Sequence, residues 1–215
     1  MTQKKGVFIT FEGCEGCGKS TQSRLLHKHL IDLKVPSLLT QEPGGTPLGE
    51  RVRDLIKTKR DFSISPEAEL LLFNACRAQL VRDVILPGLE SGKAVICDRF
   101  DDSTTIYQGY GRGLDLSMIE GINRLATGGL RPDLTILLDM PPQASLQRKS
   151  GRHTDRFEAE EISFHQKIRE GYLELAGAEP GRWLVIEGSS DIQGIFQQIR
   201  PVVEKLLRET IEKAS

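Results

Sequence analysis

Residues 13 to 20 read Gly-Cys-Glu-Gly-Cys-Gly-Lys-Ser and meet the G-x-x-x-x-G-K-[ST] pattern at each fixed position. The chemistry served by that spacing is the holding of a nucleotide's phosphate chain. Gly13 and Gly18 allow backbone angles closed to other residues, so the main chain can approach the phosphates and meet their charge with successive N–H groups and the start of the following helix. Lys19 can reach the terminal phosphates and the Ser20 hydroxyl can ligate Mg²⁺, while Cys14, Glu15, Gly16, Cys17 and Thr21 complete the cradle. Cys14 and Cys17 also have the spacing of a zinc knuckle. Both lie inside the loop, and Cys76 and Cys97 supply no second close pair, so the four cysteines read as small apolar fillers suited to a reducing compartment.

Other residues could join this chemistry. Asp98-Arg99-Phe100 follows an apolar run and places a carboxylate and a guanidinium together. Asp98 could hold Mg²⁺ or accept a proton and Arg99 could bind a second phosphate, or the two could belong to a structural ion-pair network. Ser103, Thr104, Tyr107 and Gln108 offer hydroxyls, a phenol and an amide at close spacing, suited to reading a sugar and a base edge but also to capping a helix. Phe73 and Arg77 stand four apart on a helical pattern, an aromatic plane beside a guanidinium fork, although a Phe among leucines is also ordinary core. Gln41-Glu42-Pro43-Gly44-Gly45-Thr46-Pro47 reads as a bent, stiffened loop, with Arg51 and Arg53 on the helix after it. Between Arg148 and Glu158 run Arg148, Lys149, Arg152 and Arg156 around one Gly. Such a run is often a solvated face, but the phosphate loop supplies no cation beyond Lys19, and phosphoryl transfer needs charge neutralised on the migrating group, so a mobile basic lid is expected here.

These residues need a scaffold that brings them to one edge. The pattern alternates short apolar runs with helical periodicity: strands at 6–11, 37–41, 94–97, 134–139 and 183–187, and helices at 19–33, 47–58, 66–90, 115–127, within 142–178, and at 191–212. That order predicts an α/β fold with a parallel sheet covered on both faces, its ligands beyond the carboxyl ends of the strands. With 215 residues and no linker or low-complexity tract, one domain spanning 1–215 is expected. The 29 basic and 30 acidic residues nearly cancel, which argues against a nucleic-acid-coating surface or a polybasic membrane patch. No apolar run has the length of a membrane span. Met-Thr-Gln-Lys-Lys leads directly into the first strand, so a cytoplasmic address is expected.

Taken together, FEGCEGCGKST, the EPGGT loop, LLLFNACR, DRFDDSTTIYQG, GRG, RPDLTILLD and the DRFE segment resemble the bacterial thymidylate kinases over nearly the whole chain. The resemblance implies a P-loop NTPase-type five-stranded parallel sheet with a short lid at about 148–158, and transfer of the γ-phosphoryl of Mg·ATP to thymidine 5′-monophosphate (dTMP). It implies that Phe73 stacks on thymine and Arg77 bonds its carbonyl edge, that Arg53 and Arg99 hold the acceptor phosphate, and that Glu15 approaches the deoxyribose 3′-hydroxyl. Asp98 would serve Mg²⁺ and the reacting phosphates, Ser103, Thr104, Tyr107 and Gln108 would line base and sugar, and Arg152 would be the catalytic lid cation with Arg148 and Arg156 beside it. A homodimer is implied as well. The chain departs from many bacterial relatives in carrying Gln41 where they have Arg, and Thr104-Thr105 where an amide is frequent. The competing readings are a kinase of another small phosphorylated acceptor and a nucleotide-dependent switch, although the Asn-Lys-x-Asp guanine-reading segment of many such switches is missing.

Overall fold

The computed structural model describes residues 6–58, 61–148, 156–157 and 159–214. Five strands, β1 (Val7–Glu12), β2 (Ser37–Gln41), β3 (Ala94–Asp98), β4 (Leu134–Asp139) and β5 (Trp183–Glu187), form one parallel sheet in the order β2-β3-β1-β4-β5. β1 is central and buried along its whole length, and its alternation divides the protein. Val7, Ile9 and Phe11 face a core shared with α1 (Lys19–Asp32) and α9 (Ile192–Ala214). Phe8 faces the opposite side, where Leu80, Ile85 and Leu89 pack, and Thr10 and Glu12 share its side of the pleat. A polar pair on this face is satisfied internally: Thr10 and Thr135 hydroxyls lie 3.0 Å apart.

The helices begin where their caps dictate. Thr46 accepts from Gly49 N at 3.0 Å and starts α2 (Pro47–Lys57), and Ser65 accepts from Ala68 N at 3.2 Å and starts α3 (Pro66–Leu80). The single helix expected at 66–90 is instead three pieces: α3, a π-helical turn at Val81–Ile85, and α4 (Leu86–Glu90). Pro87 has no N–H to continue the ladder and its ring would crowd an earlier carbonyl, so the wider turn absorbs it. An element not expected from the sequence follows β3: α5 (Asp101–Thr104) continues into a π-helical turn at Thr105–Gly111. The remaining helices are α6 (Leu116–Thr127), α7 (Pro142–Gln147) and α8 (Ile162–Ala178). Among the described residues no helix is long and apolar enough to cross a membrane.

Candidate active site

The strand order turns at β1, and the crevice at the carboxyl ends of β1 and β3 receives the glycine-rich loop. Gly13, Gly16 and Gly18 all take positive φ, at 134°, 79° and 103°. At Gly13 a Cβ would stand 2.6 Å from the Leu138 carbonyl oxygen of β4, so the close approach of loop to sheet admits no side chain. Gly18 is the N-cap of α1 and provides no side-chain cap, which leaves the first N–H groups of the helix facing the crevice. Lys19 folds its ammonium over the loop, donating to the Gly13 and Cys14 carbonyls at 2.9 and 2.7 Å. Burial, with Cys17 adding to it, pushes the Cys14 thiol up to about 12, so this cysteine packs as a neutral filler. The Ser20 hydroxyl donates to Asp98 Oδ2, setting a hydroxyl and a carboxylate side by side where α1 starts and β3 ends.

Arg99 joins this cavity to a second one. It sits at φ 73°, in the left-handed region a non-glycine residue rarely enters, its N–H held by the Phe11 carbonyl at 3.0 Å. Its guanidinium reaches Glu15 Oε1 at 2.5 Å, Tyr107 Oη at 3.0 Å, Ser103 Oγ at 3.1 Å and Tyr172 Oη at 3.3 Å. Beneath it Glu12, wholly buried, accepts from Phe100 N at 2.8 Å, Ser103 Oγ at 2.6 Å and Tyr172 Oη at 2.8 Å. Burial raises the Glu12 carboxyl to about 7, opposed by the Arg99 charge. Burial likewise lifts the Tyr107 and Tyr172 phenols well above their ordinary range, so both remain hydrogen-bonding hydroxyls.

The second cavity has Phe73, Arg77, Thr104, Gln108 and Phe157 in its wall. Ser103 with Tyr107 and Thr104 with Gln108 stand one turn apart on α5 and the turn that continues it, which puts all four on this side of the helix. The Phe73 and Phe157 rings are tilted with centroids 6.0 Å apart, and Tyr107 meets Phe157 edge-on at 5.8 Å. Arg77 is almost fully buried. Nε and Nη2 donate to Glu42 Oε2 at 2.9 and 2.6 Å, Nη1 to Asn74 and Asn123 at 3.2 and 3.1 Å, and Nη2 also to the Phe100 carbonyl at 3.1 Å. Gln108 Nε2 donates to buried Glu69 at 2.7 Å.

The phosphate-loop cavity, about 390 Å³, collects Gly16, Gly18, Lys19, Ser20 and Thr21 from the loop together with Arg53, Asp98 and Arg148. Gly13, Cys14 and Cys17 support it from beneath as buried residues. Glu15, Glu42, Lys57 and Arg99 stand in the walls of both cavities. Arg53 Nη1 donates to the Pro43 carbonyl at 2.7 Å, fixing the Pro-Gly-Gly loop against α2. The basic run divides. Arg152 and Glu158 lie outside the described residues. Arg148 donates to the Gly188 and Ser189 carbonyls at 2.9 and 3.2 Å while lining the phosphate cavity. Arg156, expected beside it, walls neither cavity: it donates to the Ile56 carbonyl at 3.0 Å and to Glu69, stacking over Phe157 at 4.8 Å. A fully buried carboxylate attracts its guanidinium there.

Sequence reasoning missed Glu42, Lys57, Glu69 and Phe157 as parts of this site. Glu42 immediately follows β2, the sheet edge where ligands belong, and Lys57 stands one helical turn beyond Arg53, so strand ends and helix spacing held both signals. Glu69 gives no local sign, because its three donors come from elements 39 to 87 residues away.

A model of the thymidylate kinase family matches residues 11–199. The chain is 49% identical over 214 residues to the thymidylate kinase of Geobacter sp. (strain M21), covering 96% of this chain and 93% of that one. It is 51% identical over 201 residues to the thymidylate kinase of Dehalococcoides mccartyi (strain CBDB1), covering 94% and 97%. The crystal structure of thymidylate kinase from Ehrlichia chaffeensis superposes with a TM-score of 0.75 at 35% identity, over 92% of this chain and 98% of that one.

Proposed function

Because this chain belongs to the thymidylate kinase family and phosphorylates dTMP in nucleotide biosynthesis, we propose a division of labour between its two cavities. The phosphate-loop cavity takes the phosphate chain of ATP and the aromatic cavity takes dTMP. One observation carries this reading: Arg99 and Glu15, bonded to each other, stand in both walls, so an acceptor phosphate held on Arg99 adjoins donor phosphates held on Lys19. In-line transfer needs that adjacency more than it needs covalent help from the protein.

Lys19 follows the charge of the migrating phosphoryl, and Arg99 and Arg53 orient the acceptor phosphate. Glu15 is in reach of the sugar hydroxyl, Phe73 stacks on the base with Phe157 on the adjoining wall, and Ser103, Thr104, Tyr107 and Gln108 line base and sugar. The Arg77 N–H groups are all given to protein acceptors, so a base carbonyl would share a hydrogen already donated, and its role is chiefly to shape the wall. Ser20 and Asp98 fit Mg²⁺ arriving with ATP: both offer oxygen, the two are in contact, and a nucleotide-borne magnesium needs few protein ligands. Bound there it would neutralise phosphate charge. Arg152 is the lid cation that completes the site.

The chain is read as one kinase domain over 1–215, working as a homodimer in the cytoplasm. Exposed Leu71 on α3 and Leu125 on α6, two helices that pack together, support association, and four free cysteines suit a reducing compartment. The test of the site is ADP formation from ATP on adding dTMP: Lys19→Ala should reduce kcat by on the order of 10²-fold or more with the fold intact. A folded Lys19→Ala protein with an undiminished rate would remove the loop from the chemistry.

A further inference from the structure

Glu69 stands in the first turn of α3 and is completely buried, yet three side chains from other elements converge on it. Oε1 receives Gln108 Nε2 at 2.7 Å and Arg112 Nε at 3.4 Å, and Oε2 receives Arg156 Nη2. A carboxylate offers acceptors only, so the Gln108 atom facing it has to be the amide nitrogen. The carbonyl oxygen of the same carboxamide is thereby turned the other way, and Gln108 lines the aromatic cavity. An unrestrained glutamine could rotate its amide and greet a donor or an acceptor equally well. Here one end is committed.

We propose that Glu69 is a positioning residue for acceptor choice. By fixing the Gln108 carboxamide it makes the wall present a hydrogen-bond acceptor to the base, so the cavity admits a pyrimidine whose ring nitrogen between two carbonyls carries a hydrogen and rejects one that offers a lone pair there. Arg156 adds a second consequence, since the carboxylate that orients Gln108 also fixes the residue next to Phe157, which forms another part of the same wall. The inference rests on the assignment of the acceptor base to this cavity.

Steady-state kinetics with two acceptors tests it. The probe 5-methyl-2′-deoxyisocytidine 5′-monophosphate keeps the methyl group and the adjacent carbonyl of dTMP but has a bare lone pair on the ring nitrogen in question. The unmodified enzyme should prefer dTMP in kcat/KM by on the order of 10²-fold. In Glu69→Gln, position 69 can donate or accept, Gln108 is free to turn, and the preference should fall about tenfold or more while the KM for ATP changes by less than about twofold. If both acceptors weaken equally and the preference is unchanged, Glu69 serves the fold alone and the proposal is overturned. The exchange variant Glu69→Gln/Gln108→Glu guards against a folding defect: its carboxylate at position 108 can only accept, so the preference for dTMP should return, and a preference still at the single-variant level counts against the idea. Equal use of both acceptors by the unmodified enzyme would instead remove the base from this cavity, a failure distinct from that of Glu69.

Discussion

The guanidinium of Arg77 and the carboxylate of Glu42 lie 2.6 Å apart with side-chain exposures of 1% and 3%, a buried ion pair joining the carboxyl end of the outermost strand β2 to α3. Burial raises the Glu42 carboxyl, and the Arg77 charge and hydrogen bonds offset that rise only in part. Each group is the other's main compensation in a site closed to water. Removing one leaves an uncompensated buried charge, so Arg77→Ala and Glu42→Ala should each lower unfolding free energy by about 3 to 5 kcal/mol. The double variant should lose clearly less than the sum, measured by urea unfolding. Additive losses would mean that the two do not act as a unit. The dTMP affinity of Arg77→Ala is therefore a poor reporter of base reading, since it includes a disturbed wall.

Phe73 is the better reporter. It lines the aromatic cavity proposed for the acceptor, beside Phe157, and is only partly buried, so truncation removes a stacking face with little loss of core. Phe73→Ala should raise the KM for dTMP by about 10- to 100-fold, the worth of one base–aromatic stack, and leave the KM for ATP near its starting value. A parallel rise in both constants would assign the ring to the scaffold.

Short apolar runs and period-3.6 patterns placed all five strands and the main helices within a residue or two, because the three inner strands are buried on both faces and so read as continuous apolar runs. The phosphate loop was legible for a stricter reason: Gly13 and Gly18 occupy positions where backbone geometry tolerates little else. Other parts were hidden. The turn after α5, which carries Tyr107 and Gln108, is π-helical, and that widening has no compositional sign in Thr-Ile-Tyr-Gln-Gly. Arg156 was read with the lid because charge density along the chain looks uniform, whereas its fate is decided by Glu69, 87 residues away. Long-range pairing of buried charges is what a linear reading loses.

Glu12 predicts how stability follows pH. Its carboxyl is raised from 4.5 to about 7 by burial, and Asp101 is raised from 3.8 to about 7 by burial and the neighbouring Asp102. Between the unfolded and folded values the native protein keeps protons that the unfolded chain has lost. The contribution is therefore complete below about pH 4 and disappears as pH rises through about 7, so within this window stability falls with rising pH. The two groups together should cost a few kcal/mol, on the order of 1 to 3 each, between pH 5 and pH 8. Glu12→Gln should flatten part of that slope in Tm measurements. A wild-type Tm that climbs across the window, or a slope indifferent to the substitution, would contradict the assignment.

Two arginines of the basic run after α7 have distinct structural ties. Arg148 is tied to the Gly188 and Ser189 carbonyls at the end of β5, and Arg156 to Glu69 and the Ile56 carbonyl, so both flank the segment as anchored ends. Arg152 lies between them in the sequence, and Lys19 is the one cation that the phosphate loop carries. Arg152→Ala should then lower kcat by on the order of 10³-fold with a much smaller change in the KM for dTMP, as expected of a guanidinium that meets charge only in the transition state. Arg148→Ala and Arg156→Ala should instead act through the placement of the segment, reducing kcat far less and, for Arg156→Ala, disturbing acceptor KM through Glu69. The three single variants, compared at saturating ATP, decide the matter: if Arg152→Ala keeps a near-normal kcat while Arg148→Ala loses it, the catalytic cation is Arg148, which already stands in the phosphate cavity and would need only to exchange two carbonyl contacts for phosphate oxygens.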